Sequence, residues 1–143
     1  MKINKIIIVF IAIFLILLVG YLINIENDGD KIVVEKQVIG SDKYKLYYEI
    51  TDSKEVKDVK TILKRINWEN AKVSMAYPPQ YKFHFEHIGE DQKAKELIYE
   101  LWISPNKDKI ELVIDNEGKY IQLSKKDSEE LFKIITCKSL GDD

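Results

Sequence analysis

An unbroken apolar run near the start of the chain limits the fold more than any other feature. It extends over 18 residues from Ile6 to Ile23, IIIVFIAIFLILLVGYLI. A helix that crosses the roughly 30 Å hydrocarbon core of a bilayer needs about 20 apolar residues, because each residue adds about 1.5 Å. We therefore predict a transmembrane helix over about residues 6–23, within a membrane anchor of residues 1–25.

The end of this run favours an uncleaved signal anchor over a cleaved secretory signal. A signal peptidase site pairs two small residues, and with Gly20 at the cleavage position Leu18 would occupy the other. The segment LVGY also resembles a lipoprotein box in which Tyr21 stands in place of the lipid-modified cysteine, although an accidental match explains it equally well. Because a thiol is absent there, thioether lipidation is impossible and the helix itself must hold the protein.

The charges on either side of the run predict its orientation. Lys2 and Lys5 precede it, whereas Glu26 and Asp28 follow it. Since lysine and arginine are enriched on the cytoplasmic side of a span, we predict a single-pass protein of the cell membrane with a cytoplasmic N-terminus. Residues 26–30, ENDGD, are typical of a short tether, and residues 31–143 form the predicted extracytoplasmic domain.

The rest of the chain carries patterns typical of alternating strands and helices. Residues 31–39 and 44–51 are rich in β-branched and aromatic side chains and predict a hairpin. Asp52 is a candidate cap for a helix over residues 53–67, and Ser124 is a candidate cap for a second helix. We predict five more strands, over residues 71–77, 81–88, 96–104, 109–115 and 119–123.

The short turns between these strands favour antiparallel pairing, because parallel strands need long crossover connections. We therefore predict an α+β fold: an N-terminal transmembrane helix followed by a mainly antiparallel β-sheet with two helices packed on one face. The strand order stays open, since the first hairpin fits either edge of the later strands.

The stretch MAYPPQYKFHFEH, residues 75–87, raises the question of a metal or catalytic site. In a strand, His84 and His87 point to opposite faces because they are three positions apart. A zinc site would therefore need ligands from elsewhere, and we interpret the pair as solvated or hydrogen-bonded histidines. We predict no metal site.

Charge and motifs exclude several classes of function. The chain has 22 Lys and Arg against 24 Asp and Glu, whereas nucleic-acid-binding domains are usually strongly basic. It has no phosphate-binding loop, no nucleophile elbow and no zincin helix. Glu100 and Glu111 are positioned to face each other across a hairpin, but exposed pairs of this kind are commonly structural. We predict no catalytic residue, no cofactor and no nucleic-acid partner.

Cys137 is the single cysteine of the chain. Outside the membrane a lone thiol is buried, exposed and reactive, or paired between two chains. Because it follows Ile134 and Ile135 we favour the buried interpretation and keep the intermolecular disulfide as the alternative.

Aromatic and apolar side chains are unusually frequent on both faces of the predicted strand 96–104. Ile98 and Trp102 share one face of it, and Tyr77 and Tyr81 lie nearby in sequence. A central strand covered on both sides explains this pattern, and so does a docking surface. We favour core packing for most of the aromatic side chains and keep Trp102, Ile98, Tyr77 and Tyr81 as candidate partner contacts, Trp102 first among them. If Trp102 is a contact, Trp102→Ala leaves the fold intact and weakens association, whereas an unfolded product would assign it to the core.

Three segments resemble the C-terminal domain of the YhfM-like proteins. They are WENAKVSMAYPPQYKFHF (68–85), YELWISPNKDKIELVI (99–114) and KYIQLSKKDSEELFKIIT (119–136). The resemblance covers roughly the second half of the chain and implies a small membrane-anchored or lipoprotein-type envelope protein of spore-forming Gram-positive bacteria. It implies no established activity, so no functional residue is carried over.

Two functions of different classes follow from the sequence. We favour a non-enzymatic module, anchored in the membrane, that binds an envelope protein, peptide or polymer through its sheet. The alternative is a small-ligand or metal-binding domain, or an enzyme, with a cleft near His84 and His87. A sensor or antitoxin-like regulator is a third interpretation, which no residue specifically favours. The oligomeric state stays open.

Overall fold

The computed structural model describes residues 5–26, 30–87 and 97–142. Three helices are α1 (Lys5–Glu26), α2 (Ser53–Arg65) and α3 (Lys125–Thr136). The strands are β1 (Asp30–Gln37), β2 (Tyr44–Ile50), β3 (Glu69–Asn70), β4 (Tyr81–His87), β5 (Tyr99–Ile103), β6 (Ile110–Ile114) and β7 (Lys119–Gln122). Most of the predicted tether and the turn between the fourth and fifth strands lie outside the described residues.

The strands form one seven-stranded sheet in the order β2-β1-β4-β5-β6-β7-β3. Every pairing between them is antiparallel. The predicted α+β class with a mainly antiparallel sheet is therefore confirmed. The first hairpin joins the later strands at β4, which answers the question of strand order that the sequence left open.

Both helices of the domain begin at the caps that the sequence predicts. The Asp52 side chain accepts a hydrogen bond from the Glu55 backbone N–H at 2.9 Å, and the Ser124 side chain accepts one from Asp127 at 3.1 Å. Such caps satisfy N–H groups that have no partner within the helix. The local sequence is therefore sufficient to start each helix.

The core lies between these helices and one face of the sheet. Alternate strand residues such as Val34, Phe83, Leu101 and Leu112 point to this face and are fully buried. The helices contribute buried residues at helical spacing to the same cluster: Val56, Val59, Ile62 and Leu63 from α2, and Leu131, Phe132 and Ile135 from α3. The opposite face, which we call the open face, carries the intervening strand residues.

The N-terminal helix α1 presents large apolar side chains on its surface. Phe10, Ile16 and Leu17 are between 67% and 70% exposed. Among the residues that the structure describes, none of the helices combines the length and the apolar character that crossing a membrane requires. The membrane anchor stays a prediction.

The predicted strand over residues 71–77 is wrong, because only Glu69 and Asn70 of this region form a strand. β3 pairs with β7 at one edge of the sheet, whereas β4 lies between β1 and β5. The chain must therefore cross the sheet between Asn70 and Tyr81, and it does so over the open face. We call residues 71–80 the crossing segment.

Candidate functional site

The open face is covered by alternating charges that pair across strands. Lys31 Nζ lies 2.8 Å from Glu49 Oε1 and 3.0 Å from Glu86 Oε2. Lys82 Nζ lies 2.9 Å from Glu100 Oε1. The hydrogen bond from Lys31, and to a smaller extent that from His84, lowers the pKa of Glu86 below its usual range. Partly exposed pairs of this kind stabilise a fold only slightly.

A cleft of about 460 Å³ opens where the crossing segment passes over β5 and β6. One wall is formed by residues 73–78 of the crossing segment. The floor and the other wall are formed by Glu100, Trp102, Val113 and Asp115. The cleft is open to solvent, and more of its exposed lining is polar than apolar.

Trp102 joins the floor of the cleft to its wall. Its indole Nε1–H donates a hydrogen bond to the backbone carbonyl of Tyr77 at 2.8 Å. The Trp102 side chain is almost fully buried, at 4% exposure, whereas Tyr77 is 49% exposed at the rim. A buried indole N–H requires an acceptor, and here that acceptor belongs to the crossing segment.

Two further hydrogen bonds hold the end of the crossing segment against the sheet. The Tyr44 hydroxyl donates to the Pro79 carbonyl at 2.8 Å, and the Ile103 backbone N–H donates to Gln80 Oε1 at 3.1 Å. Burial raises the pKa of Tyr44 to about 12, and the nearby carboxylates of Glu100 and Asp42 act in the same direction. The Tyr44 hydroxyl therefore remains a donor over the physiological pH range.

The charge of the cleft is negative. Glu100 and Asp115 line it, and no lysine, arginine or histidine is among its described lining residues. Lys82 pairs with Glu100, but within the described ranges no ion pair or side-chain hydrogen bond engages the Asp115 carboxylate. Asp115 is exposed in the short 3₁₀ turn that follows β6. The cleft thus combines a half-exposed tyrosine at its rim with an exposed carboxylate that forms no ion pair among the described residues.

Comparison with known proteins identifies the family. A family described as YhfM protein matches residues 25–140. The chain belongs to the YhfM family. The match includes the first hairpin and α2, and so extends beyond the second half of the chain where the sequence resemblance lies. No curated protein and no solved structure matches. The bacterial group that the resemblance implies stays a prediction.

The four residues predicted to contact a partner differ in exposure in this YhfM family protein. Tyr81 is fully buried in the core and Trp102 is 4% exposed, so neither presents its side chain on an accessible surface. Their burial agrees with core packing and corrects the prediction of Trp102 as the first candidate contact residue. Ile98 and Tyr77 are 46% and 49% exposed, and of these two only Tyr77 lines the cleft. Their contact with a partner stays a prediction.

The two histidines of the YhfM family chain are not brought together. His84 pairs with Glu86 on the open face at 3.3 Å, whereas His87 Nδ1 contacts the Asp30 carboxylate. Asp30 is nearly buried and also forms an ion pair with Lys60 of α2. In the part of the chain that the structure describes, no three His, Cys, Asp or Glu residues are grouped as a metal site requires.

The carboxylate pair that the sequence suggested does not form. Glu100 lies opposite Val113, and Glu111 lies opposite Trp102, so the two glutamates are on adjacent strands but do not face each other. Glu111 Oε1 instead accepts a hydrogen bond from Gln122 Nε2 at 3.1 Å. The register of the hairpin, which the sequence does not specify, explains the difference.

The buried interpretation of Cys137 is wrong, since its thiol is exposed. Helix α3 ends at Thr136, and Cys137 is its C-cap with φ 58°, in the left-handed region. The helical spacing that buries Leu131 and Ile135 therefore does not extend to Cys137. A hydrogen bond with Cys137 is the main cause that raises the pKa of Tyr48.

Sequence reasoning missed Asp115 and the wall of the cleft. Asp115 follows β6 in the segment DNEG, which indicates only a turn. The wall residues Val73 and Met75 alternate with polar neighbours, as they would in a strand. The pair Pro78–Pro79 is the one local signal against a continuous strand in this segment, because proline has no N–H to donate to a neighbouring strand.

Proposed function

We propose that this protein is a non-enzymatic binding module, tethered to a membrane, that holds a protein partner in the cleft beneath the crossing segment. The single observation that carries the proposal is the cleft itself. It lies on the open face, away from the helices, and has the half-exposed ring of Tyr77 at its rim above a floor that contains the nearly buried Trp102. Aromatic residues at a concave site are the usual anchors of protein recognition.

The chemistry of the lining favours binding over catalysis. A serine nucleophile needs an adjacent base such as histidine. Ser74 lies in the lining, but the described lining residues include no histidine or lysine that would activate it. Both histidines of the chain pair with carboxylates outside the cleft.

The membrane part of the proposal rests on the sequence of residues 6–23. Eighteen consecutive apolar residues follow Lys2 and Lys5, and the exposed side chains of α1 have no favourable place in water. Tethering would raise the effective concentration of the domain near a partner in the same membrane. On this proposal the domain is extracytoplasmic.

Site-specific photocrosslinking tests the binding function. A benzoylphenylalanine placed at Tyr77, at the rim of the cleft, is expected to give one discrete adduct with a protein in membranes of the producing cells. The matched control carries the same group at Ile39, which is 98% exposed but lies in the turn after β1, and should give none. Equal labelling from both positions, or none from Tyr77, would contradict a specific protein site in the cleft.

The exposed thiol of Cys137 offers a test of the orientation. Because it is the only cysteine, a membrane-impermeant maleimide added to intact cells is expected to label the protein at this residue alone. Cys137→Ser is the control and should abolish the label. Labelling that requires prior lysis would place the domain on the cytoplasmic side and overturn the extracytoplasmic part of the proposal.

A further inference from the structure

We infer that the cleft beneath the crossing segment accepts a lysine or arginine side chain of its partner. This inference rests on the proposed binding function and adds the chemical class of the ligand. It is argued from the charge of the cleft and the apolar side chains of its wall, and the hydrogen bond between its floor and its wall makes it testable.

The charge of the cleft selects a cationic group. Asp115 forms no ion pair among the described residues, and the Lys82 that pairs with Glu100 does not itself line the cleft. An anionic ligand would be repelled by the Asp115 carboxylate. A cationic head group instead gains charge-assisted hydrogen bonds, which are about twice as strong as those between neutral groups.

The apolar side chains of the wall suit a ligand with an aliphatic stem. Val73 is exposed and Met75 is partly exposed there, whereas Trp102 and Val113 in the floor are nearly buried. Lysine and arginine bury their methylene groups on such surfaces while the charged end reaches a polar group. A cation also interacts favourably with aromatic rings, and the half-exposed ring of Tyr77 lies at the rim of the cleft. A small inorganic cation would use only the carboxylates and leave this surface unoccupied.

The hydrogen bond between the floor and the wall provides a reporter for occupancy. The Trp102 indole N–H donates to the Tyr77 carbonyl where the floor meets the wall, so a ligand in the cleft changes the environment of this proton. The only other tryptophan, Trp68, donates its indole N–H to the Leu63 carbonyl in the core. The two indole signals are therefore assignable with a Trp68→Phe variant.

The test is an NMR titration of the ¹⁵N-labelled full chain in detergent micelles. The probes are capped five-residue peptides, Gly-Gly-X-Gly-Gly, in which X is lysine, arginine, norleucine or glutamate. The lysine and arginine peptides are expected to shift the Trp102 indole signal until saturation. The norleucine peptide, which has the stem but no charge, should bind about tenfold more weakly, since that factor equals one charged hydrogen bond.

Matched variants link the effect to the cleft. Asp115→Asn is expected to lower the affinity for the lysine peptide about tenfold, since it removes the charge but keeps the shape of the side chain. Glu129→Gln, on α3 and thus on the other side of the sheet, makes the same change in net charge and should leave the affinity unchanged. An equal loss in both variants would indicate attraction to net charge alone and would overturn the inference.

Failure of this inference and failure of the proposed function give different results. If norleucine binds as tightly as lysine while the Tyr77 crosslink persists, the cleft binds an apolar partner and only the cationic class is wrong. If no peptide shifts the Trp102 signal and the Tyr77 crosslink is also absent, the binding function itself is wrong. If no peptide shifts it but the crosslink forms, the partner uses the rim of the cleft without a basic side chain, which also overturns the inference.

Discussion

Replacing Phe132 by alanine is expected to lower the free energy of unfolding by about 3–5 kcal/mol, because it leaves a cavity the size of an aromatic ring. Phe132 is fully buried and lies edge-on to Tyr81, with 5.9 Å between the ring centroids. This contact joins α3 to β4 in the sheet. Domains of this size have a total stability of about 5–15 kcal/mol, so the loss is a large fraction of it.

Urea denaturation followed by circular dichroism measures this loss as a lower unfolding midpoint. Ile39→Ala is the control, since Ile39 is 98% exposed and its truncation should change the stability by less than about 0.5 kcal/mol. Phe132→Leu should fall between the two, because leucine fills part of the cavity. A loss in Phe132→Ala as small as that of the control would mean that α3 does not pack on the sheet.

The parts of the fold that the sequence predicts well depend on local signals. Asp52 and Ser124 mark the beginnings of α2 and α3, because a cap needs only its own side chain and a backbone N–H three residues later. The strands β4 to β7 follow from alternation and short turns, since both act between neighbours in sequence. Their bounds differ from the prediction by a few residues at most.

The parts that the sequence does not predict depend on contacts between distant residues. Ala71, Val73 and Met75 have the alternation of a strand, but β3 is the strand that pairs with β7, and residues 71–80 must cross to reach β4. Cys137 continues an apolar pattern, yet the helix ends one residue earlier. In both cases the local pattern is compatible with two structures and the tertiary arrangement decides between them.

The candidate site was predictable only in part, for the same reason. The sequence indicates that Trp102 and Tyr77 are unusual for a solvated surface, and the structure brings both to one cleft. It does not indicate that one of them is covered by the backbone of the other, because that contact spans 25 residues of sequence. Asp115 joins the site through the turn after β6, for which the sequence shows no functional signal.

Trp102→Ala is expected to lower the free energy of unfolding by about 3–5 kcal/mol, contrary to the prediction from the sequence that the fold tolerates it. The side chain is 4% exposed, so its removal leaves a cavity on the open face of the sheet. It also removes the donor to the Tyr77 carbonyl and releases the crossing segment. The same denaturation measurement detects the loss.

Two comparison variants separate the contributions of Trp102. Trp102→Phe retains much of the ring and removes the indole donor, so it should cost about 1 kcal/mol for the hydrogen bond plus a smaller packing loss. Tyr77→Ala removes a half-exposed side chain but keeps the carbonyl acceptor, and should change stability by less than about 1 kcal/mol. If Trp102→Ala instead has the same urea midpoint of unfolding as the parent protein, the indole contributes nothing to the fold and belongs to a partner-binding surface. Because the crossing segment depends on Trp102, Tyr77→Ala is the variant that tests binding without altering the fold.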